Sequence, residues 1–239
     1  MSKIKTYFNW SSGKDSALAL YYLLQDGRYA VDELITTINS HYNRVSMHGL
    51  RKELLIAQTE AINITSNLIE LPEMPSMEIY EQKMLETVSR LKNEGFTHSA
   101  FGDIFLEDLR IYREEQLAKQ KLKAVFPIWK RNTKELINEF LDLGFKTIVV
   151  CANSKYFNED FVGTVIDKNF IDNLPEGVDP CGENGEFHTF CFDGPIFKNP
   201  IPFTLGEKVY REYNNPKTED NSICKNDKYG VWYCDLLLH

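Results

Sequence analysis

Residues 8–16 read Phe8-Asn9-Trp10-Ser11-Ser12-Gly13-Lys14-Asp15-Ser16, and the apolar run Ala17 to Leu24 follows without a break. Aromatic, β-prone residues give way to two serines and a glycine, then to strong helix formers, so the stretch predicts strand, tight loop and helix. A helix that starts there points unpaired backbone N–H groups and the positive end of its macrodipole out of the loop, which suits an anion. Gly13 lets the backbone approach such an anion closely, while the hydroxyls of Ser11, Ser12 and Ser16 and the Lys14 ammonium add donors. A carboxylate beside an anion site is repulsive unless a cation or a helix cap employs it, which makes Asp15 a Mg2+ or capping candidate.

The loop is not a Walker P-loop, because the GxxxxG before the lysine is absent and Asp15 separates Lys14 from Ser16. Ser11-Ser12-Gly13-Lys14-Asp15-Ser16 instead resembles the SGGKDS loop of the PP-loop ATP pyrophosphatases, which cleave ATP to AMP and pyrophosphate. It departs at Ser12, where the second position is usually Gly; a positive φ there would strain a serine.

The chain has 239 residues and a formal net charge of −8, which argues against a broad nucleic-acid or acidic-membrane footprint. No leader pattern and no apolar run approaching a membrane span is present, so a cytoplasmic location is expected. Cys151, Cys181, Cys191, Cys224 and Cys234 are odd in number and form no CxxC pair, so neither a disulfide framework nor a zinc knuckle is indicated.

Working outward, strands are predicted over Glu33–Ile38, Asn67–Leu71, Ser99–Ile104 and Ala124–Ile128, with helices over Leu50–Ile62, Met77–Glu94 and Glu107–Gln116 between them. Strand and helix alternating at this spacing imply right-handed βαβ units and a mainly parallel sheet covered on both faces. In such a sheet the ligand crevice lies beyond the C-terminal strand ends. A nucleotide on the first loop would then have its base near the backbone of Thr37 and Ile38. Met47 and His48 are either lids over it or ordinary loop residues. Gly102-Asp103 ends the fourth strand at the same crevice, where a second catalytic carboxylate is sought. The helix beyond it carries Arg110, Tyr112 and Arg113, which either reach the ligand or form a solvated face with Arg–Glu pairs. A domain boundary is expected near Trp129. Beyond it lie a helix from Thr133, a strand over Lys146–Cys151 and short β-type runs, an α+β pattern. Trp232 and Leu236 to Leu238 would seal a homodimer or finish the core.

A second signature, Asp179-Pro180-Cys181-Gly182-Glu183-Asn184-Gly185-Glu186-Phe187-His188-Thr189, crowds carboxylates, glycines and a histidine into one turn. Alone it reads more readily as a Gly-Asn-Gly hairpin with exposed glutamates. Together with the first loop and the Gly-Asp-Ile at 102–104, it resembles the diphthine-ammonia ligase family of PP-loop proteins over nearly the whole chain. Gly182, Glu183, Gly185, Glu186, Phe187 and Thr189 match that family's Gly-Glu-x-Gly-Glu-(Phe/Tyr)-x-Thr loop, whereas Asn184 stands where many members have Gly and His188 where many have Glu.

The resemblance implies an α/β fold: a Rossmann-like (HUP) parallel sheet over 1–129, helices on both faces, and a smaller α+β domain over 130–239. It implies an ATP-dependent ligase that adenylates a carboxylate and forms an amide with ammonia, the acceptor being protein-bound or small. On that reading Ser11, Ser12, Gly13, Lys14, Asp15, Ser16, Thr37, Ile38 and Gly102 bind ATP, and Asp15 or Asp103 assists Mg2+. Lys14, Asp103, Glu183 and Glu186 are the catalytic candidates, the two glutamates (or His188) receiving the ammonium or its proton. The competing readings are a PP-loop enzyme with another small-molecule or RNA acceptor, and an adenine-nucleotide sensor without catalysis.

Overall fold

The computed structural model describes residues 2–46, 48–214 and 228–239. Met47 and Cys224 lie outside them.

Strand β1 (Ile4–Asn9) runs through the Ser-Ser-Gly loop into helix α1 (Lys14–Gln25). Adjacent residues of β1 are both buried: Tyr7 packs in one apolar cluster and Phe8 in another, as a strand covered on both faces requires. Strand β2 (Tyr29–Asn39) lies parallel to β1 and overshoots it, since Asn9 pairs with Ile35. A two-residue strand, β3 (Arg44–Val45), folds back antiparallel onto Ile38 and Asn39. Helix α2 (Lys52–Ile62) leads to β4 (Thr65–Leu71), parallel to β2 on its outer side. Helix α3 (Met77–Asn93), β5 (His98–Ala100), α4 (Glu107–Lys119) and β6 (Lys123–Val125) complete the order β4-β2-β1-β5-β6, all parallel. Helices α1 and α2 share a core with Phe8 and Leu34, and α3 and α4 one with Tyr7 and Ile35, so the sheet is covered on both faces in a Rossmann-like α/β layout.

Helix α5 (Thr133–Asp142) opens the second half, where β7 (Lys146–Asn153), β8 (Phe187–Asp193), β9 (Phe203–Asn214) and β10 (Lys228–Leu238) form an antiparallel sheet ordered β8-β7-β10-β9. A short helix, α6 (Lys168–Asp172), lies between β7 and β8. The core of α1 and α2 continues without interruption into this sheet through Phe145, Phe190 and Cys191. Strand β8 is therefore pressed against the opening loop: the Cys191 N–H donates to the Ser12 carbonyl at 2.9 Å. Asp235 of β10 accepts from Arg44 at 2.9 Å and from Arg51 at 2.7 Å, tying the second sheet to β3 and α2. Leu236 is buried and Trp232 packs on Tyr210, so this end of the chain finishes the core; Leu237 and Leu238 stay exposed. No helix among the described residues is long and apolar enough to cross a membrane.

Candidate active site

The loop between β1 and α1 is held from outside. Gln58 of α2 accepts from Trp10 Nε1 at 2.7 Å and donates to the carbonyls of Ser12 (3.0 Å) and Cys191 (2.6 Å). Ser12 adopts φ 72°, the left-handed region that suits the glycine more usual there, and its buried Oγ has no hydrogen-bond partner among the described residues. Gly13 has an ordinary φ of −86°; what it contributes is space, because a Cβ there would sit 3.3 Å from the Thr189 carbonyl and 3.4 Å from His48 Cε1. Ser11 Oγ and Ser16 Oγ lie 2.7 Å apart. Of the first-turn amides, Lys14 N–H donates to Thr189 Oγ1 at 3.1 Å, Gly13 N–H weakly to Ser11 Oγ and Asp15 N–H to its own carboxylate; that of Ser16 has no partner among the described residues.

Several expected roles change here. The Lys14 ammonium is buried, 3% exposed, and turned toward the second signature loop. It donates to Asp15 Oδ2 at 2.7 Å and to the Cys181 carbonyl, so it does not reach out as a phosphate grip. Burial pulls its pKa down, but Asp15, Cys181 and Glu183 outweigh burial and hold it charged. Asp15 accordingly partners Lys14, and Asp103 partners Arg113, with Oδ2 2.7 Å from Nε and Oδ1 accepting from Nη2 at 3.1 Å. Each carboxylate thus has a cationic partner within the chain, and no group of three metal-ligating side chains occurs among the described residues. Gly102 faces α1 rather than a ligand: a Cβ there would meet Ser16 N at 2.9 Å. The backbone at Thr37 and Ile38 is covered, since the Thr37 carbonyl accepts from Ser46 N–H and Ile38 lies opposite Val45 on one side and Glu70 on the other. The two-residue strand β3, too short to read in the sequence, takes the edge that a base would have used.

The second loop divides its two glutamates. Glu186 is buried, and its carboxylate accepts from the N–H of Asp179 (3.0 Å), the N–H of Asn184 (2.9 Å) and Asn184 Nδ2 (3.1 Å). It shapes the turn and is not free to receive ammonium. Asp179 does similar work, accepting from the N–H groups of Cys181 and Glu183. Gly182 takes φ 69°, and a Cβ there would clash with the Phe187 carbonyl at 2.8 Å. Glu183 instead points across to the first half, where it accepts from the Ile104 N–H at 2.8 Å. Burial first, then the charge of Asp15, push its carboxyl up to about 7. A carboxyl with that value exchanges protons at neutral pH, as a general base needs to.

Lys14, Asp15 and Glu183 are thus brought together, with Asp103 behind Ile104. Thr37, Ile38 and Glu186 are not part of that group. Gln58, Thr189 and Asp179 carry the scaffold although sequence reasoning gave them no role. For Gln58 a signal existed: it falls between Leu54 and Ile62 on the buried stripe of α2, where a polar side chain needs a partner.

Two family models match the chain: the diphthamide synthase N-terminal domain over residues 4–121 and the diphthamide synthase C-terminal domain over residues 132–229. Among curated relatives, the diphthine-ammonia ligase of Mus musculus is 23% identical, covering 83% of this chain and 82% of its own. That of Homo sapiens is 23% identical over 70% and 67% respectively. A solved U34-tRNA thiolase from Methanococcus maripaludis with its 4Fe-4S cluster aligns over 60% of this chain and 59% of that one, at a TM-score of 0.38 and 17% identity, too distant to carry weight.

Proposed function

The chain belongs to the diphthamide synthase family, and from that premise we propose that it is an ATP-dependent amide ligase of the diphthine-ammonia ligase kind. The observation that carries the reading is the meeting of its two signature loops: Lys14 bonds both to Asp15 and to the Cys181 carbonyl, one residue from the loop glycine that precedes Glu183.

Amide formation from a carboxylate and ammonia needs a leaving group in neutral water. In our scheme an acceptor carboxylate oxygen attacks the α-phosphorus of ATP and pyrophosphate departs, leaving an acyl adenylate. The start of α1, where the Ser16 N–H has no partner among the described residues, meets the negative charge that develops, and preorganised donors of this kind favour the transition state. Lys14, bonded to the second loop, is the link that would register the nucleotide's arrival. Ammonia then attacks the acyl carbon, AMP leaves, and the proton shed by nitrogen passes to Glu183. Mg2+ enters on this reading as the counter-ion of the triphosphate, because Asp15 and Asp103 already have cationic partners. The nucleotide is assigned to residues 1–129 and the ammonia chemistry to residues 130–239. The acceptor, protein-borne or small, and a cytoplasmic setting belong to the same proposal.

The test is incubation with Mg·ATP, ammonium and a panel of carboxylates that includes diphthine, which the curated relatives' name gives as their acceptor, with AMP, pyrophosphate and amide measured together. Stoichiometric AMP and amide are expected with one acceptor. Nucleotide binding with no AMP under any acceptor would replace the ligase by a nucleotide sensor. AMP without amide would point to a different nucleophile.

A further inference from the structure

A pair of stacked histidines that the scheme above does not use rests on the opening loop. His48, from the turn after β3, and His188, on β8, lie with ring centroids 4.7 Å apart and planes 20° from parallel. His48 abuts Gly13, the N-cap of α1, which could not carry a Cβ without closing to 3.4 Å of its ring. The charged group that bears on both rings is Lys14 of α1; from β8 the backbone of Thr189 bonds His48, and Tyr233 of β10 packs on the adjacent Gly49. No carboxylate acts on either ring among the described residues. Burial and then neighbouring positive charge keep both imidazoles neutral, with His188 pushed down to about 4.

The hydrogen-bond inventory at this spot is unbalanced. His48 Nδ1 and Ser12 Oγ are both buried without a partner among the described residues, and both belong to the walls of the same loop. Beside them is the start of α1, where the Ser16 N–H has no partner among the described residues and the Lys14 ammonium, bonded to Asp15 and the Cys181 carbonyl, contributes positive charge. A neutral imidazole that donates through one nitrogen offers only a lone pair at the other. Such a nitrogen cannot meet a phosphate oxygen, acceptor against acceptor, until it gains a proton.

We propose that His48 and His188 form a proton-linked clamp for a polyphosphate: an anion arriving at the opening loop draws one proton from solvent onto the stacked pair, and that proton leaves with the anion. The inference rests on the ATP-dependent reading above and deepens it, since it makes nucleotide capture and pyrophosphate release depend on pH. His188 stands where many members of the resembling family have Glu, whose negative charge would oppose the anion, so the clamp would not extend to those members. The free pair is neutral and the bound pair protonated. Affinity therefore rises as pH falls between the two pKa values, by up to about tenfold per unit, and levels off above the bound value.

The experiment is calorimetry on the full chain with α,β-methylene-ATP and, separately, inorganic pyrophosphate, each in two buffers of different ionisation enthalpy at pH 7. Wild type should take up close to one proton more than the His48→Gln/His188→Gln variant, and its affinity should gain several-fold more than the variant's from pH 7.5 to 6.5. Equal proton uptake and equal pH slopes would overturn the clamp while leaving ATP binding intact. Should the variant fail to fold, imidazole NMR shifts of the wild type decide: a move to the imidazolium position on adding pyrophosphate supports the clamp, and no move refutes it. A wild type that binds neither probe and makes no AMP would bring down the ligase reading itself, and the clamp with it.

Discussion

In the turn from Asp179 to Glu186, donors and acceptors are close sequence neighbours: Glu186 accepts from Asp179, seven residues away, and from Asn184, two away. In the turn from Ser11 to Ser16 the main partners are remote. Ser12 is held by Gln58, 46 residues on, while Lys14 is held by Cys181 and Thr189, 167 and 175 residues on. The later loop has a shape of its own and exports one carboxylate, Glu183; the earlier one exists in this form only because the second sheet is docked on it. Charge at the site is consequently shared across the two halves of the chain.

Exchanging Glu183 for Gln should have the largest effect. The amide keeps an oxygen for the Ile104 N–H, so the fold survives, but the neutral-range base is gone. Amide formation should fall by about 10^2–10^4, and the rise in rate as pH climbs through about 7 in the wild type should vanish. Stability gives an independent sign. A carboxyl near 7 in the fold and near its ordinary 4.5 when unfolded leaves the native state holding more protons between those values. The contribution is complete below about 4.5 and is lost as pH rises through about 7, roughly 3 kcal/mol in all. Urea titrations at pH 5 and pH 8 should record that loss in the wild type and its absence in Glu183→Gln. An unchanged rate in the variant would remove Glu183 from the chemistry.

Glu186→Ala probes the self-contained side of the comparison. Two half-buried N–H groups and the Asn184 amide lose a charged acceptor, which should cost about 1–3 kcal/mol by chemical denaturation. Activity should fall through loss of loop shape, with kcat reduced and its pH profile unmoved. A shifted profile would mean that Glu186 takes part in the chemistry after all.

This division explains what the sequence could and could not tell. The strand-loop-helix at residues 4–25 and the alternation through residue 125 follow from local periodicity, and the parallel sheet follows from those. Long-range satisfaction has no local signature. Lys14 looked like a solvent-facing grip because its carbonyl partner at Cys181 is remote in sequence, and Ile38 looked available because the two-residue ribbon that covers it has no strand signature of its own. Glu183 and Glu186 are near-equivalent in the motif; the direction in which the turn aims each one separates a proton carrier from a loop brace.

The smallest effect expected has an informative sign. Ser12 is fully buried, sits at φ 72° and leaves its hydroxyl unpaired among the described residues. In Ser12→Gly the left-handed conformation becomes unstrained, a gain of about 1–2 kcal/mol, and a buried unsatisfied group disappears, a gain of similar order. Against these stands the greater freedom of glycine in the unfolded chain, about 0.5–1 kcal/mol. The balance predicts a protein more stable by at least about 1 kcal/mol in thermal unfolding without ligand. With α,β-methylene-ATP bound the advantage should shrink, because a hydroxyl that has no partner in the free chain is a donor to spare when phosphate arrives. Were the substitution destabilising in the ligand-free protein, the Ser12 hydroxyl would have to be engaged already, and the opening loop would share with the later one the self-sufficiency that sets the two apart.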